Sequence, residues 1–100
     1  MADSAVSEVR RIYDEIAHAA RDYQRNLAPN EDLIFLFPLG QIHVEAFGIQ
    51  GTALVFFGRD RTTGRKALVV QHYSQANLVM TSVPRPEGAP PARPIGFLND

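Results

Sequence analysis

Three runs beyond residue 30, "LIFLF" (33–37), "ALVFF" (53–57) and "ALVV" (67–70), are apolar at every position. Successive side chains on a strand point to opposite sides, so both faces of a sheet built from these runs are apolar and need cover. Only one segment has the periodicity to supply a helix. Val9, Ile12, Ile16, Ala19 or Ala20, Tyr23 and Leu27 recur at steps of three and four, drawing one apolar stripe along a helix that runs to about Leu27. A single helix shields one face of a sheet this wide. The other face is expected to close against the tail, by curling of the sheet, or against another copy. A lone monomer would leave a large apolar patch in water. A homo-oligomer is therefore expected, with a C2 dimer as the default symmetry.

Asp3 or Ser4 is the expected cap of the helix. Its outer face carries Arg11 with Glu15 and His18 with Asp22, spaced to support each other in solvent. Pro29 and Asn30 end it. Strands are expected at about 32–37, 41–48, 52–59, 65–73 and 77–83, the last with a short helix capped by Ser74 as the alternative. In "FGIQGT", Gly48 and Gly51 are free to take positive φ in a tight turn. "GRDRTTGRK" is a hairpin loop with its polar tip near Arg61, Thr62 and Thr63. Such short connectors favour antiparallel neighbours. The expected fold is α+β: an N-terminal amphipathic helix packed on a meander of four or five antiparallel strands, a single domain over residues 1–83.

Residues 84–94, "PRPEGAPPARP", hold five of the seven prolines. Fixed φ and missing amide donors keep this segment extended and out of the middle of a sheet. The tail, 84–100, is expected to cross the surface as a strap and dock by Ile95, Phe97 and Leu98. Its P-x-x-P step has the form of a polyproline ligand.

Composition narrows the functions open to the chain. With no cysteine among 100 residues there is no disulfide framework and no thiolate site or nucleophile. The start of the chain lacks a secretory pattern, and no stretch is long and apolar enough to span a membrane. A cytoplasmic protein without a membrane partner is expected. A net charge of −1 gives no pull toward nucleic acid, and no aromatic residues alternate with the basic ones.

Three constellations are candidates for chemistry. Arg59, Arg61, Arg65 and Lys66, with Thr63, cluster on the hairpin and could grip an anionic, nucleotide-like ligand through guanidinium forks and backbone amides. The Gly-Lys-Ser/Thr ending of a phosphate-binding loop is missing. His43 and Glu45 share a strand face by spacing, and with His72 they would form a ligand set for zinc or iron in a small hydrolase. In "LVVQHYSQANLVM" (68–80), Gln71, His72, Ser74 and Gln75 lie between two apolar runs. A nucleophile reading needs His72 to activate Ser74, but no glycine-flanked nucleophile elbow is present. Neutral amides are better suited to satisfying backbone groups where strands meet, so these four residues are expected to form a polar joint.

The segment 68–84, with "GRDRTTGR" before it and "RPIGF" after it, resembles a group of small uncharacterised bacterial and phage-borne proteins. They share a Gln-His-x-Ser-Gln core segment and a later Ile-Gly-Phe. The resemblance covers about residues 50–97 and implies no catalytic residues; it points to an accessory or mobile-element setting. The function expected from all of this is a non-enzymatic, oligomeric interaction module for a protein partner or small ligand, with no cofactor.

Overall fold

The computed structural model describes residues 2–100, with side chains from Val6 onward. A helix, α1 (Ala2–Arg25), precedes β1 (Glu31–Phe37), β2 (Gly40–Gln50), β3 (Ala53–Asp60), β4 (Lys66–His72), β5 (Val79–Pro84) and β6 (Gly96–Phe97). A single 3-10 turn, Tyr73–Gln75, joins β4 to β5. The class is α+β: one helix on an antiparallel sheet of five strands, to which β6 adds a short parallel pairing. No helix among the described residues is both long and apolar enough to cross a membrane.

The helix begins at Ala2, ahead of Asp3 and Ser4; the side chains of those two expected caps lie outside the described residues. It ends at Arg25, sooner than Pro29 alone would require. The amides of Asn26 and Leu27 bond to the carbonyls of Tyr23 and Gln24, so the last turn tightens instead of continuing. Its buried face is centred on Val9, Tyr13, Ala17 and Ala20, with Ile12, Ile16 and Tyr23 on the flanks. Tyr13, absent from the expected stripe, is fully buried, and its ring stacks on Phe47 with centroids 4.6 Å apart. Outward, Arg11 pairs with Glu8 and Glu15, and His18 with Asp22.

The meander holds only as far as β4. The strand order is β4-β3-β2-β1-β5, so the chain leaves one edge of the sheet and re-enters at the other. A flat sheet forbids that connection. His72 lies level with Gln50 through Ala53, and Val79 lies level with Gln41 through Leu36. In a flat sheet these levels differ by about 26 Å along the strands, and four strand spacings add about 19 Å across, a diagonal of about 32 Å. The seven residue steps from His72 to Val79 reach at most about 25 Å. The sheet must therefore curl. Phe35 on β1 and Phe56 on β3, separated by a whole strand, bring their rings to 5.8 Å across the concave side. Phe47 and Phe56 stack at 4.6 Å, and Leu54, Ile42 and Val44 complete the core beneath α1.

β2 is long because it serves two partners in turn. Its first residues, Gly40–Ile42, pair with Phe37–Phe35 of β1, after which a bulge between Val44 and Ala46 bends it away. Gly58 faces the bulge: a Cβ there would fall on the His43 carbonyl, well inside contact distance. Beyond the bulge the side that β1 has vacated is taken by the tail, with Ala46 beside Gly96 and Phe47 beside Phe97. Gly48 lies in this stretch. It does not take the positive φ expected of it, which falls to Gly51 (φ 63). Gly48 is needed for a different reason: a Cβ would stand 2.9 Å from Asn99 Oδ1 and 3.2 Å from the Leu98 side chain.

Candidate functional site

The hairpin between β3 and β4 is tied up internally. Asp60 Oδ1 accepts from the amides of Thr62 (2.7 Å) and Thr63 (2.9 Å), the two donors an anion would have used. Arg59 donates to the Gly64 carbonyl and Arg61 to Gln41 Oε1. Thr63 Oγ1 accepts from the Arg65 amide at 3.3 Å. Of the five expected ligand-binding residues, only Arg65 and Lys66 keep charged heads outside these contacts, and both are exposed. The Asp60 carboxylate thus holds two backbone donors at the hairpin tip.

The metal set does not assemble. His43 lies opposite Arg59, whereas His72 lies opposite Ala53 at the far end of β3, about 20 Å along the strand. Among the described residues no three histidine or acidic side chains group as metal ligands. His43 and Glu45, on either side of buried Val44, both line the cleft between β1 and β2, with the bulge beginning after Val44.

Between β4 and β5, Gln71, His72 and Ser74 lie together. Gln71 Oε1 accepts from the Asn77 amide (3.3 Å), bridging the connection. His72 Nδ1 accepts from the Ser74 amide (3.2 Å), which puts the ring proton on Nε2, and the Ser74 hydroxyl is 2.7 Å from the same nitrogen. The cap of the 3-10 turn is therefore His72, not Ser74. The Tyr73 amide bonds to the Thr52 carbonyl, anchoring the turn to the β2–β3 hairpin. Gln75 is exposed. Both hydrogen bonds at His72 Nδ1 run to Ser74 and close a local turn.

The tail is held more by its backbone than by its apolar side chains. Ile95 is 6% exposed and Phe97 half-buried beneath the Arg21 guanidinium, 4.1 Å from its ring centre. Leu98, expected as a third anchor, is 59% exposed; its amide docks instead, donating to the Phe47 carbonyl at 2.9 Å. Asn99 Oδ1 accepts from the Ile49 amide at 2.8 Å, Asn99 N–H donates to the Tyr13 hydroxyl, and Asp100 pairs with Arg21.

Two surface features remain. The first is apolar. On the outer face of the curled sheet, Ile34 and Val55 are buried, but Phe57, Leu68 and Val70 are 40%, 54% and 58% exposed. Register places Phe57 beside Leu68 and Val55 beside both Val70 and Gly48, over which Leu98 lies. One contiguous patch thus runs from the tail to the outer edge of β4. Val79 is exposed on β5 at the opposite edge. The second feature is an open cleft of about 1180 Å³ at the fork where β2 leaves β1. Leu33, Val44 and Ile95 line it, with His43 and Glu45 beside them and Arg25 and Arg93 from the helix end and the strap. No sequence signal marked this cleft, because it arises from a bulge and a non-local strand.

The fold and these surfaces define a small α+β domain whose curled sheet is latched by its own carboxyl terminus. No family model matches the chain, and comparison with curated proteins and with solved structures returned no match.

Proposed function

We propose that this protein is a non-enzymatic interaction module that works as a homo-oligomer, joined head to tail by β4 of one copy and β5 of the next. The observation that carries the reading is the state of the two sheet edges. Soluble proteins usually blunt edge strands with charge, proline or bulges. The inner stretches "ALVVQ" of β4 and "VMTSV" of β5 contain none of these charges or prolines. Each edge carries exposed apolar side chains, Leu68 and Val70 on one and Val79 on the other. Because the edges differ, pairing them is heterologous and generates a ring or a filament; a C2 dimer would satisfy only one edge per copy. The polar joint at Gln71, His72 and Ser74 holds the two edge strands in their relative positions. An accessory role of the kind suggested by the resemblance over residues 50–97 belongs to the same proposal. The alternative, a grip on an anionic ligand by the hairpin, has few uncommitted donors left to draw on.

Mixing two variants tests the arrangement. Leu68→Glu with Val70→Glu damages the β4 edge, and Val79→Glu damages the β5 edge. Each alone is expected to be monomeric, and an equimolar mixture to form a dimer through the one intact pair of edges. If the β5-edge variant associates as the unaltered protein does, the head-to-tail arrangement is wrong.

A further inference from the structure

We infer that residues 90–94 of the strap, Pro-Pro-Ala-Arg-Pro, are a ligand for a second protein that presents a groove of aromatic side chains to a polyproline II helix. The run is set in that conformation by its own covalent chemistry. Pro90, Pro91 and Pro94 have φ fixed at about −65°, and Ala89, Pro90 and Arg93, each preceding a proline, are pushed out of the helical region. A turn closed by the Ala89 amide on the Pro86 carbonyl, with Gly88 at φ 83, leads into the run. Both ends of the strap are fixed. Upstream, the Arg85 amide bonds to the Asn30 carbonyl and its guanidinium to Asp32; downstream, Ile95 is buried and Gly96 pairs with Ala46. Between these anchors, residues 90–94 are all exposed and make no hydrogen bond among the described residues. Ala92, Arg93 and Pro94 border the cleft with one side, and Pro90 and Pro91 do not line it. A strap that served only as cover would bury its prolines against the body.

The chemistry of the run selects the occupant. In an extended segment alternate amides face opposite sides, and here Pro90 and Pro94 remove donors from one side and Pro91 from the other. Neither side can add to a sheet edge, so strand pairing of the kind open to β4 and β5 is closed to it. What the run offers is apolar proline rings and carbonyls without partners. Three residues per turn place Pro91 and Pro94 on one face, about 9 Å apart. Aromatic side chains cover such rings, and tyrosine and tryptophan also bring a polar hydrogen for the carbonyls. A second copy of this chain has no such groove: it contains no tryptophan, and Phe57 is the only exposed aromatic side chain among the described residues. With φ fixed and both ends held, the run has little freedom left to lose on binding. This contact is separate from the β4 and β5 edges proposed for self-assembly, so either reading can fail alone.

The test is an amide NMR titration of the full chain with an SH3 domain that takes P-x-x-P peptides, and with the same domain after its groove tryptophan is changed to alanine. The intact domain is expected to shift the amides of Ala89, Ala92, Arg93 and Ile95, and the altered domain to leave them unmoved. Pro91→Ala with Pro94→Ala, both at exposed positions, is expected to weaken binding several-fold, whereas Pro86→Ala, outside the run, keeps it. Leu68→Glu with Val70→Glu is expected to bind as the unaltered chain does, which separates this contact from self-assembly. Absence of shifts at millimolar SH3 domain overturns the inference, as do binding undiminished by the paired proline changes or shifts confined to β4 and β5.

Discussion

The hydroxyl of Tyr13, at the centre of the helix's buried face, accepts the backbone amide of Asn99 at 3.2 Å, across 86 residues of chain. This bond lets a tyrosine occupy a fully buried position of α1, because its side-chain oxygen finds a partner in the tail. It also joins helix, β2 and carboxyl terminus into one unit, since Tyr13 stacks on Phe47, whose carbonyl accepts the Leu98 amide. Tyr13→Phe keeps the stacking and leaves the Asn99 amide without its partner. The expected cost is about 1 kcal/mol in urea denaturation, with faster exchange at the Asn99 amide; unchanged exchange there would show that the bond does not hold the tail.

The tail's anchors are expected to be unequal. Ile95→Ala removes a buried side chain and should cost about 2–4 kcal/mol. Leu98→Ala, at an exposed position, should change unfolding stability by less than about 0.5 kcal/mol. Paired urea titrations settle the order, and equal losses would contradict the docking described.

Gly58→Ala is expected to be among the most damaging small changes in the chain. The added methyl has no room beside the His43 carbonyl, and backbone yields less than a side chain would. A loss of about 2 kcal/mol or more follows from overpacking. Gly48→Ala, which presses on Asn99 and Leu98, should instead loosen the tail selectively, read as faster amide exchange at Leu98 and Ile49 with the rest of the sheet unaffected.

With Asp60 holding the Thr62 and Thr63 amides, inorganic phosphate or ATP at millimolar concentration is expected to leave the melting temperature unchanged. A ligand at 100 times its Kd would add about 2.7 kcal/mol, so a shift of that size, abolished by Arg65→Ala, would restore the anion-binding reading of the hairpin.

Local pattern carried much of this fold. The helix and five strands lie where periodicity places them, because side-chain spacing reports which local geometry buries an apolar face. It does not report which edge a strand will join. The return of β5 to β1 depends on the curl of the sheet, and the curl depends on a bulge at Val44–Ala46 with no local signature. The same bulge lies at the cleft that His43 and Glu45 line. Tyr13 lies one step off the stripe through Ile12 and Ile16, and its burial rests on contacts with Phe47 and Asn99 that no local pattern reports. His72 and Ser74 are neighbours in sequence, so their proximity could be read directly; the distance from His43 to His72 could not, since it is set by register.

Self-association is the claim on which the proposed function stands, and molar mass by light scattering across a range of concentrations measures it most directly. The expected result is a mass that is a multiple of the chain's 11.1 kDa, falling to one chain when Leu68 and Val70 are both changed to glutamate. A mass of 11.1 kDa for the unaltered protein at every concentration would contradict it, and would mean that Phe57, Leu68, Val70 and Val79 remain in water.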